Sequence, residues 1–355
     1  MLTLLLVIMV ISLLILVHEW GHFYSARKFG VKVEEFGFGF PPKVISRVKN
    51  GIRYSLNLFP FGGFVKIYGE HGEGEDDPQS FMSRPAWQRF IMLAAGVFMN
   101  FVLAWVFFSV GSALGVPQIS EGETSGVPVS IIGISSNSPA EAYGFRFGDQ
   151  ILEMRAPDLS LRIEFEKDVR DFVNAYKGEE VIITLRRGRE IKEIRAVPRV
   201  SFPEGEGPLG IALARLSIAK VPWFLAPIEG VRMLFRTTGA TAEGLFTIVK
   251  EIFMEGKPPV GVSGPVGIFF FADDTRALGV AYFMQFMGIL SVNLAILNFL
   301  PIPALDGGRI LFLAIEKLRR RRVDSKIENI FHTVGFVLLI LLMVLVTYRD
   351  VARIL

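Results

Sequence analysis

The chain contains no cysteine, which excludes disulfides and thiolate metal sites outright. Histidine is nearly as scarce. His18, His22, His71 and His332 are the four present, so any metal centre must draw on them and on carboxylates. A strong charge of one sign is also missing. Lys+Arg number 38 against 35 Asp+Glu, and the net charge of +3 argues for no nucleic-acid partner. No internal repeat is visible. Apolar surface, in contrast, is abundant. Of the 355 residues 51% are hydrophobic and 32 are Phe, and the mean hydropathy of +0.44 exceeds what a soluble core of this size hides. Charged residues still make up 21%, so part of the chain faces water. A membrane protein with one extramembrane domain satisfies both observations.

Four segments are apolar enough to be membrane helices: Leu2–Ala26, Phe90–Leu114, Val280–Leu300 and the shorter Phe331–Val346. The first does not read as a signal peptide, since no basic residues precede its apolar run and no small-x-small site follows it. Lys/Arg residues gather after the first segment (Arg27 to Lys66) and before the fourth (Lys317 to Lys326). By the positive-inside rule both loops are cytosolic. The N-terminus, the region 116–275 and the C-terminus then lie outside the cytosol. Basic loops of this kind face anionic membrane lipid.

Between the spans the character changes. In 31–85, Ile52–Leu58 alternates and Phe61-Gly62-Gly63-Phe64 precedes Val65–Tyr68, which reads as a hairpin turning at the glycines. Residues 116–210 show short alternating strands (Val127–Ile134, Val181–Arg186, Glu193–Val197) and a helix near Glu164–Ala175, an α+β domain. Ile218–Glu255 is amphipathic, and both a place along the membrane surface and packing on the bundle or the domain are open to it. The expected organisation is a first transmembrane helix in 1–30, a hairpin region in 31–85 and a second span in 86–115. An extracytoplasmic α+β domain follows in 116–215, then a peripheral helical region in 216–275. The third span occupies 276–310, a basic loop 311–329 and the fourth span 330–355.

The chemistry concentrates in His18-Glu19-Trp20-Gly21-His22. On a helix, positions i and i+4 share a face, so both imidazoles can hold one metal ion. Glu19, one residue away, can reach a metal-bound water as general base and acid without being a ligand. Three ionisable groups at the end of an apolar helix cost about 2.5 kcal/mol or more each near a bilayer centre, which favours function over accident. Tetrahedral zinc needs a third protein ligand. His71, His332 and a carboxylate are the options; Asp306, in the turn Pro301-Ile-Pro-Ala-Leu-Asp-Gly-Gly308 that breaks the third apolar segment, is one such carboxylate.

The His-Glu-x-x-His sequence, together with Asn298, Pro301, Pro303, Leu305, Asp306 and Gly307 in an N-x-x-P-x-P-x-L-D-G pattern, resembles the site-2 protease family of intramembrane metalloproteases (peptidase family M50) and its bacterial regulator-of-sigma-E protease branch. The likeness covers nearly the whole chain. It implies Zn²⁺ held by His18, His22 and Asp306, Glu19 as the catalytic residue, and a bacterial inner-membrane, multi-pass location. It further implies that Asn100 and Asn298 help hold substrate or the active-site geometry, and that a membrane-associated β-hairpin at 52–68, including Phe61, Gly62 and Gly63, receives unwound substrate. Val97 stands where relatives typically have proline, which removes an expected kink from the second span. Ser138-Pro-Ala-Glu-Ala-Tyr-Gly-Phe-Arg-Phe-Gly-Asp-Gln-Ile-Leu152 resembles a PDZ signature. Such a domain implies capture of a peptide C-terminus or a size filter.

The fold expected is therefore a polytopic α-helical membrane protein of about four transmembrane helices, with a membrane-associated β-hairpin and one extracytoplasmic PDZ domain. The activity expected is zinc-dependent intramembrane endopeptidase action on single-span membrane proteins, such as anti-sigma factors or signal-peptide remnants. A non-catalytic PDZ scaffold with a metal site is the competing reading. Glu19 speaks against it, because a purely structural metal needs no such carboxylate. A transporter is disfavoured by the single compact polar cluster and the absence of an inverted repeat.

Overall fold

The computed structural model describes residues 2–119, 127–135, 137–188, 190–203, 205–251, 254 and 264–352. Contacts divide the chain into two units, one formed by Met1–Ser109, Pro227–Phe270 and Gln285–Leu355, the other by Val110–Ala226 and Phe271–Met284.

The chain begins with α1 (Leu2–Lys28), which runs unbroken through the polar His18–His22 cluster. Two strands follow, β1 (Val33–Lys49) and β2 (Ile52–Ile67), and then α2 (Ala86–Leu114), continuous through Val97. Gly21 inside α1 has a packing reason. A Cβ there would stand 2.7 Å from the Ala95 carbonyl carbon and 2.9 Å from Gly96 N, so its absence lets the backbones of α1 and α2 meet.

The hairpin departs from its expected turn. Asn50 and Gly51 reverse the chain with φ of 53° and 78°, the pair of left-handed residues that a tight hairpin demands and that Asn-Gly adopts at least cost. Phe61-Gly62-Gly63-Phe64 instead lies within β2, where Gly62 at φ 85° accommodates the strand's irregular course. The side chain of Phe61 is outside the described residues. The two strands also bend around each other. Gly37 lies opposite Phe64 on one side and Ser55 on the other, and Phe38 likewise opposite Gly63 and Leu56. Phe23 and Ala26 of α1, Val33, Ile52, Ile67, Phe81 and Met92 form the buried cluster that holds this ribbon to the helices.

The second unit is built on a sheet of β3 (Val116–Ile119), β4 (Val129–Ile134), β5 (Gln150–Arg155), β6 (Ser160–Arg162), β7 (Val181–Arg187), β8 (Glu190–Ala196) and β9 (Ile211–Ala219). The strand order is β3-β9-β4-β5-β7-β8, with β6 on β5. A short helix, α3 (Pro139–Ala142), is capped by the Ser138 hydroxyl, which accepts from Glu141 N–H. A longer one, α4 (Glu166–Ala175), buries Val169, Phe172 and Val173, the i, i+3, i+4 stripe of a half-buried helix. These pack on Val129, Ile131, Ile151, Met154, Val181, Ile183 and Leu185. The sheet reaches Ala219, beyond the expected limit at 215, because β9 pairs with both β4 and β3.

The remaining helices are α5 (Ala226–Lys250), α6 (Pro265–Leu278), α7 (Val280–Phe299), α8 (Asp306–Arg319) and α9 (Ser325–Ala352). Gln285 Nε2–H donates to Met233 Sδ at 3.6 Å, and Thr241 Oγ1–H to Asn293 Oδ1 at 3.0 Å. Both pairs are 52 residues apart, so α5 and α7 run side by side in the same direction. Trp105 Nε1–H donates to Pro227 O at 2.9 Å, which ties the start of α5 to α2. Helix α5 thus touches both α2 and α7. Helix α7 ends where Pro301 and Pro303 withhold backbone donors, and α8 starts at Asp306. Helix α9 exceeds the apolar run at both ends, since polar Ser325–Asn329 and Tyr348–Asp350 continue it. Among the described residues, four helical stretches are long and apolar enough to cross a membrane: Leu5–Lys28, Ala86–Leu114, Val280–Phe299 and Lys326–Ala352.

Candidate metal centre

Two adjacent turns of α1, one face of α2 and the first residue of α8 supply the site. His18 and His22 stack one turn apart with ring centroids 4.8 Å apart, as i, i+4 spacing requires. Asp306 meets them from across the unit. Its Oδ2 lies 2.9 Å from His18 Nε2 and 3.4 Å from His22 Nε2, and the two Nε2 atoms are 3.1 Å apart. Both histidines are buried. No other group of three His, Asp or Glu side chains converges in this way among the described residues.

The face of α2 decides what these atoms can do. Met92, Gly96 and Asn100 recur every four residues and meet the two rings in turn. The Met92 carbonyl, an obligate acceptor, lies 2.8 Å from His22 Nδ1, so the neutral ring carries its proton there and its lone pair on Nε2. Asn100 is fully buried, with its side-chain amide 3.2 Å from His18 Nδ1. The two ends of an amide have the same shape. Turning Oδ1 toward the ring lets it accept from Nδ1–H, supplies a partner to an oxygen that otherwise has none, and again leaves the lone pair on Nε2. Ser291 Oγ–H donates to the Asn100 carbonyl at 2.7 Å and steadies this residue.

With both rings neutral, three lone-pair atoms face one another, and Asp306 Oδ2 is buried without an assigned hydrogen-bond partner. A bound cation resolves such a convergence. Donors around tetrahedral zinc at bond lengths of ~2.0–2.1 Å are about 3.3 Å apart, close to the separations seen. Gly96 completes the cradle, since a Cβ there would stand 2.7 Å from both His18 Nε2 and His18 Cε1. The residues present thus fit a zinc ion, with two imidazole nitrogens and one carboxylate.

Glu19 stands beside this triad. Its Oε2 accepts from Val65 N–H of β2 at 3.1 Å, which ties the carboxylate to the hairpin. Glu19, His22 and Asp306 line a cavity of about 440 Å³ with Phe64, Arg309 and His332. A second cavity of about 270 Å³ is lined by His18, Glu19, Asn298 and Asp306. A Cβ on Gly63 would stand 3.9 Å from Glu19 Cγ, and one on Gly62 3.0 Å from Ile15 Cδ1, so both glycines lie against α1 near the site.

His18, Glu19, His22, Asn100, Asn298, Gly62, Gly63 and Asp306 are thus brought to one region. His71 and His332 are not in the triad. His71 sits on an exposed loop, and His332 accepts a hydrogen bond from Ala304 N–H. Sequence reasoning missed Met92, Gly96 and Val65. Met92 and Val65 act through backbone groups, which leave no residue-type signal. Gly96, a helix-interior glycine four residues before a buried Asn, carried a usable one.

Comparison with known proteins gives a coherent picture. The family model described as peptidase family M50 matches residues 6–342. A Clostridium perfringens protein provisionally named a zinc metalloprotease is 35% identical over 341 residues, covering 96% of each chain. Proteins named zinc metalloprotease RasP are similar as well. The one from Oceanobacillus iheyensis is 29% identical over 436 aligned positions, covering 98% of each chain. The one from Shouchella clausii is 29% identical over 440, covering 99% of each.

Proposed function

From the premise that this chain belongs to peptidase family M50, we propose that it is an intramembrane endopeptidase that cuts the transmembrane segments of single-span membrane proteins. It is a metalloprotease, and Zn²⁺ is its metal. His18, His22 and Asp306 are the proposed ligands. Zinc, when bound, supplies an acidified water and polarisation of the scissile carbonyl. The rest of the chemistry falls to the chain. Glu19 accepts the proton of the attacking water and passes it to the leaving amine nitrogen. Val65 N–H fixes which way the carboxylate faces. Asn100 and Met92 hold the two imidazoles with Nε2 free.

The single observation that carries this reading is the place of Glu19. It belongs to a helix long and apolar enough to span a bilayer, and its carboxylate is bonded to the backbone of a strand beside the metal ligands. A helical peptide bond is hydrogen-bonded and sterically covered, so substrate must unwind before attack. Because Val65 turns its N–H away from β1 and toward Glu19, the edge Gly63–Val65 supports β-addition of an unwound stretch next to the general base. Asn298, lining the smaller cavity with Glu19, is the proposed donor to that stretch.

Further parts of the proposal rest on the sequence. The seven-stranded unit with its Ser138–Leu152 signature is a PDZ domain of the regulator-of-sigma-E protease branch. Its groove of about 380 Å³ between α4 and the Gly207–Leu213 stretch suits a peptide terminus. The distribution of Lys and Arg puts this domain and both termini outside the cytosol, and the active site toward the cytosolic side, in a bacterial inner membrane.

The test is cleavage of a model single-span substrate by the full chain in detergent or liposomes, with bound zinc measured in parallel. Wild type cleaves; Glu19→Gln retains zinc and loses cleavage by at least about 10³-fold. Persistent cleavage by Glu19→Gln would sink the mechanism, and a substrate cut only in its soluble flank would sink the intramembrane reading.

A further inference from the structure

His332 is the one histidine that is neither in the donor triad nor on the exposed loop. Its Nδ1 accepts a hydrogen bond of 2.9 Å from the backbone N–H of Ala304, two residues before Asp306. Its Nε2 has no hydrogen-bond partner, with Glu328 Oε1 4.0 Å away, so the bond to Ala304 is the one hydrogen bond of the ring among the described residues.

The backbone donors of the turn show why this bond counts. Pro301 and Pro303 have none. Ile302 N–H bonds to Leu300 O at 2.7 Å and Leu305 N–H to Ile302 O at 3.3 Å, both within the turn. Ala304 N–H is the remaining donor of 301–305, and its acceptor comes from another helix. Ala304 also sits at φ 72°, a left-handed conformation that an L-residue adopts only at a steric cost. A hydrogen bond from that very residue offsets this cost. One turn further along α9, Gly335 gives Pro303 room, since a Cβ there would stand 2.8 Å from the Pro303 carbonyl carbon. Gly308 does the same for the ring, where a Cβ would lie 3.2 Å from His332 Cε1. Helix α9 thus offers the turn one acceptor and one notch, both directed at the residues that present Asp306.

We propose that His332 is a positioning residue for the metal centre: its Nδ1 holds Ala304 in the left-handed conformation and thereby aims the Asp306 carboxylate at His18 and His22. The proposal rests on the reading of these three residues as zinc ligands. It predicts that metal affinity depends on an acceptor atom carried by a span that contributes no ligand.

The experiment measures zinc affinity by chelator competition on the full chain in detergent, with the thermal midpoint of the zinc-free protein as a control for folding. His332→Leu fills the space without an acceptor, and its zinc affinity falls about 10–100-fold, as for other residues that orient ligands. His332→Asn places Oδ1 near the position of Nδ1, and it stays within about threefold of wild type. The cleavage lost by His332→Leu returns at saturating zinc, a rescue that a general packing defect would not show. If the Leu variant does not fold, His332→Met replaces it. Zinc binding by His332→Leu or Met equal to wild type overturns the proposal. So does His332→Asn binding zinc as weakly as the Leu variant, which would assign the effect to ring packing. A wild type that binds no zinc would remove the metal-centre reading itself, and this proposal with it.

Discussion

Gly96 and His18 leave no room for a methyl group between them: a Cβ on Gly96 would stand 2.7 Å from His18 Nε2. The same Cβ would press on Nε2 of His22. One face of α2 therefore shapes a metal site to which it contributes no ligand.

Gly96→Ala should abolish the centre while leaving the bundle intact. Alanine is the better helix former by ~1 kcal/mol, so the helices should persist. The added methyl group, however, occupies the space where the donor atoms converge. Metal analysis of the purified variant should find under about a tenth of the wild-type zinc, with unchanged helical circular dichroism and a comparable loss of cleavage. Full zinc occupancy in this variant would contradict the arrangement described.

Asn100 should matter through an oxygen atom. Asn100→Asp keeps an acceptor for His18 Nδ1–H and should hold zinc. Asn100→Leu, which removes it, should weaken zinc affinity about 10–100-fold. Chelator competition separates the two, and equal affinities would show that the amide does not set the ring's tautomer.

Arg89 of α2 and Glu316 of α8 form a buried ion pair at 2.7 Å, with side chains 10% and 8% exposed. Removing one partner leaves a buried charge alone. Arg89→Met should therefore destabilise by about 3–5 kcal/mol, and Arg89→Met with Glu316→Leu should recover most of it. Denaturant titration in detergent reads both, and additive losses would refute the coupling.

Asp274 provides a pH dependence outside the membrane spans. Burial pushes its carboxyl up to about 6, against the pull of Arg146 at 3.6 Å and Arg187 and with the push of Asp273 and Asp149. A carboxyl raised by folding favours the folded state in its protonated form. That contribution is complete below the unfolded value, about 3.9, and is lost as pH rises through about 6. Hydrogen exchange across 271–278, corrected for intrinsic rates, should show stronger protection at pH 5 than at pH 7.5, and Asp274→Asn should flatten the difference. A profile that slopes the other way would mean Arg146 dominates.

Much of this fold follows from local sequence. The spacing of His18 and His22 forces both rings onto one helix face, because 3.6 residues per turn is a property of the backbone alone. The four apolar stretches likewise predict helices, since a chain in lipid must satisfy its own backbone donors. The hairpin shows where such reading fails. Asn50-Gly51 carried the stronger turn signal, yet Phe61-Gly62-Gly63-Phe64 drew the expectation, and Gly37, Gly39, Pro41 and Pro42 broke the alternation that would have marked β1.

What the amino-acid order alone determined was the inventory: a histidine pair with a neighbouring glutamate on an apolar helix, and a carboxylate following a proline-broken one. Helix geometry left the third donor open and resemblance implied Asp306, but how Asp306 meets the pair, and which atoms of each ring face it, only the tertiary structure decided. Asp306 is 284 residues and Met92 70 residues from His22, and Asn100 is 82 from His18. Contacts at such separations are set by helix packing rather than by local geometry. Within α2 they rest on the missing side chain of Gly96, because the room needed for a metal ion is exactly what a Cβ would fill.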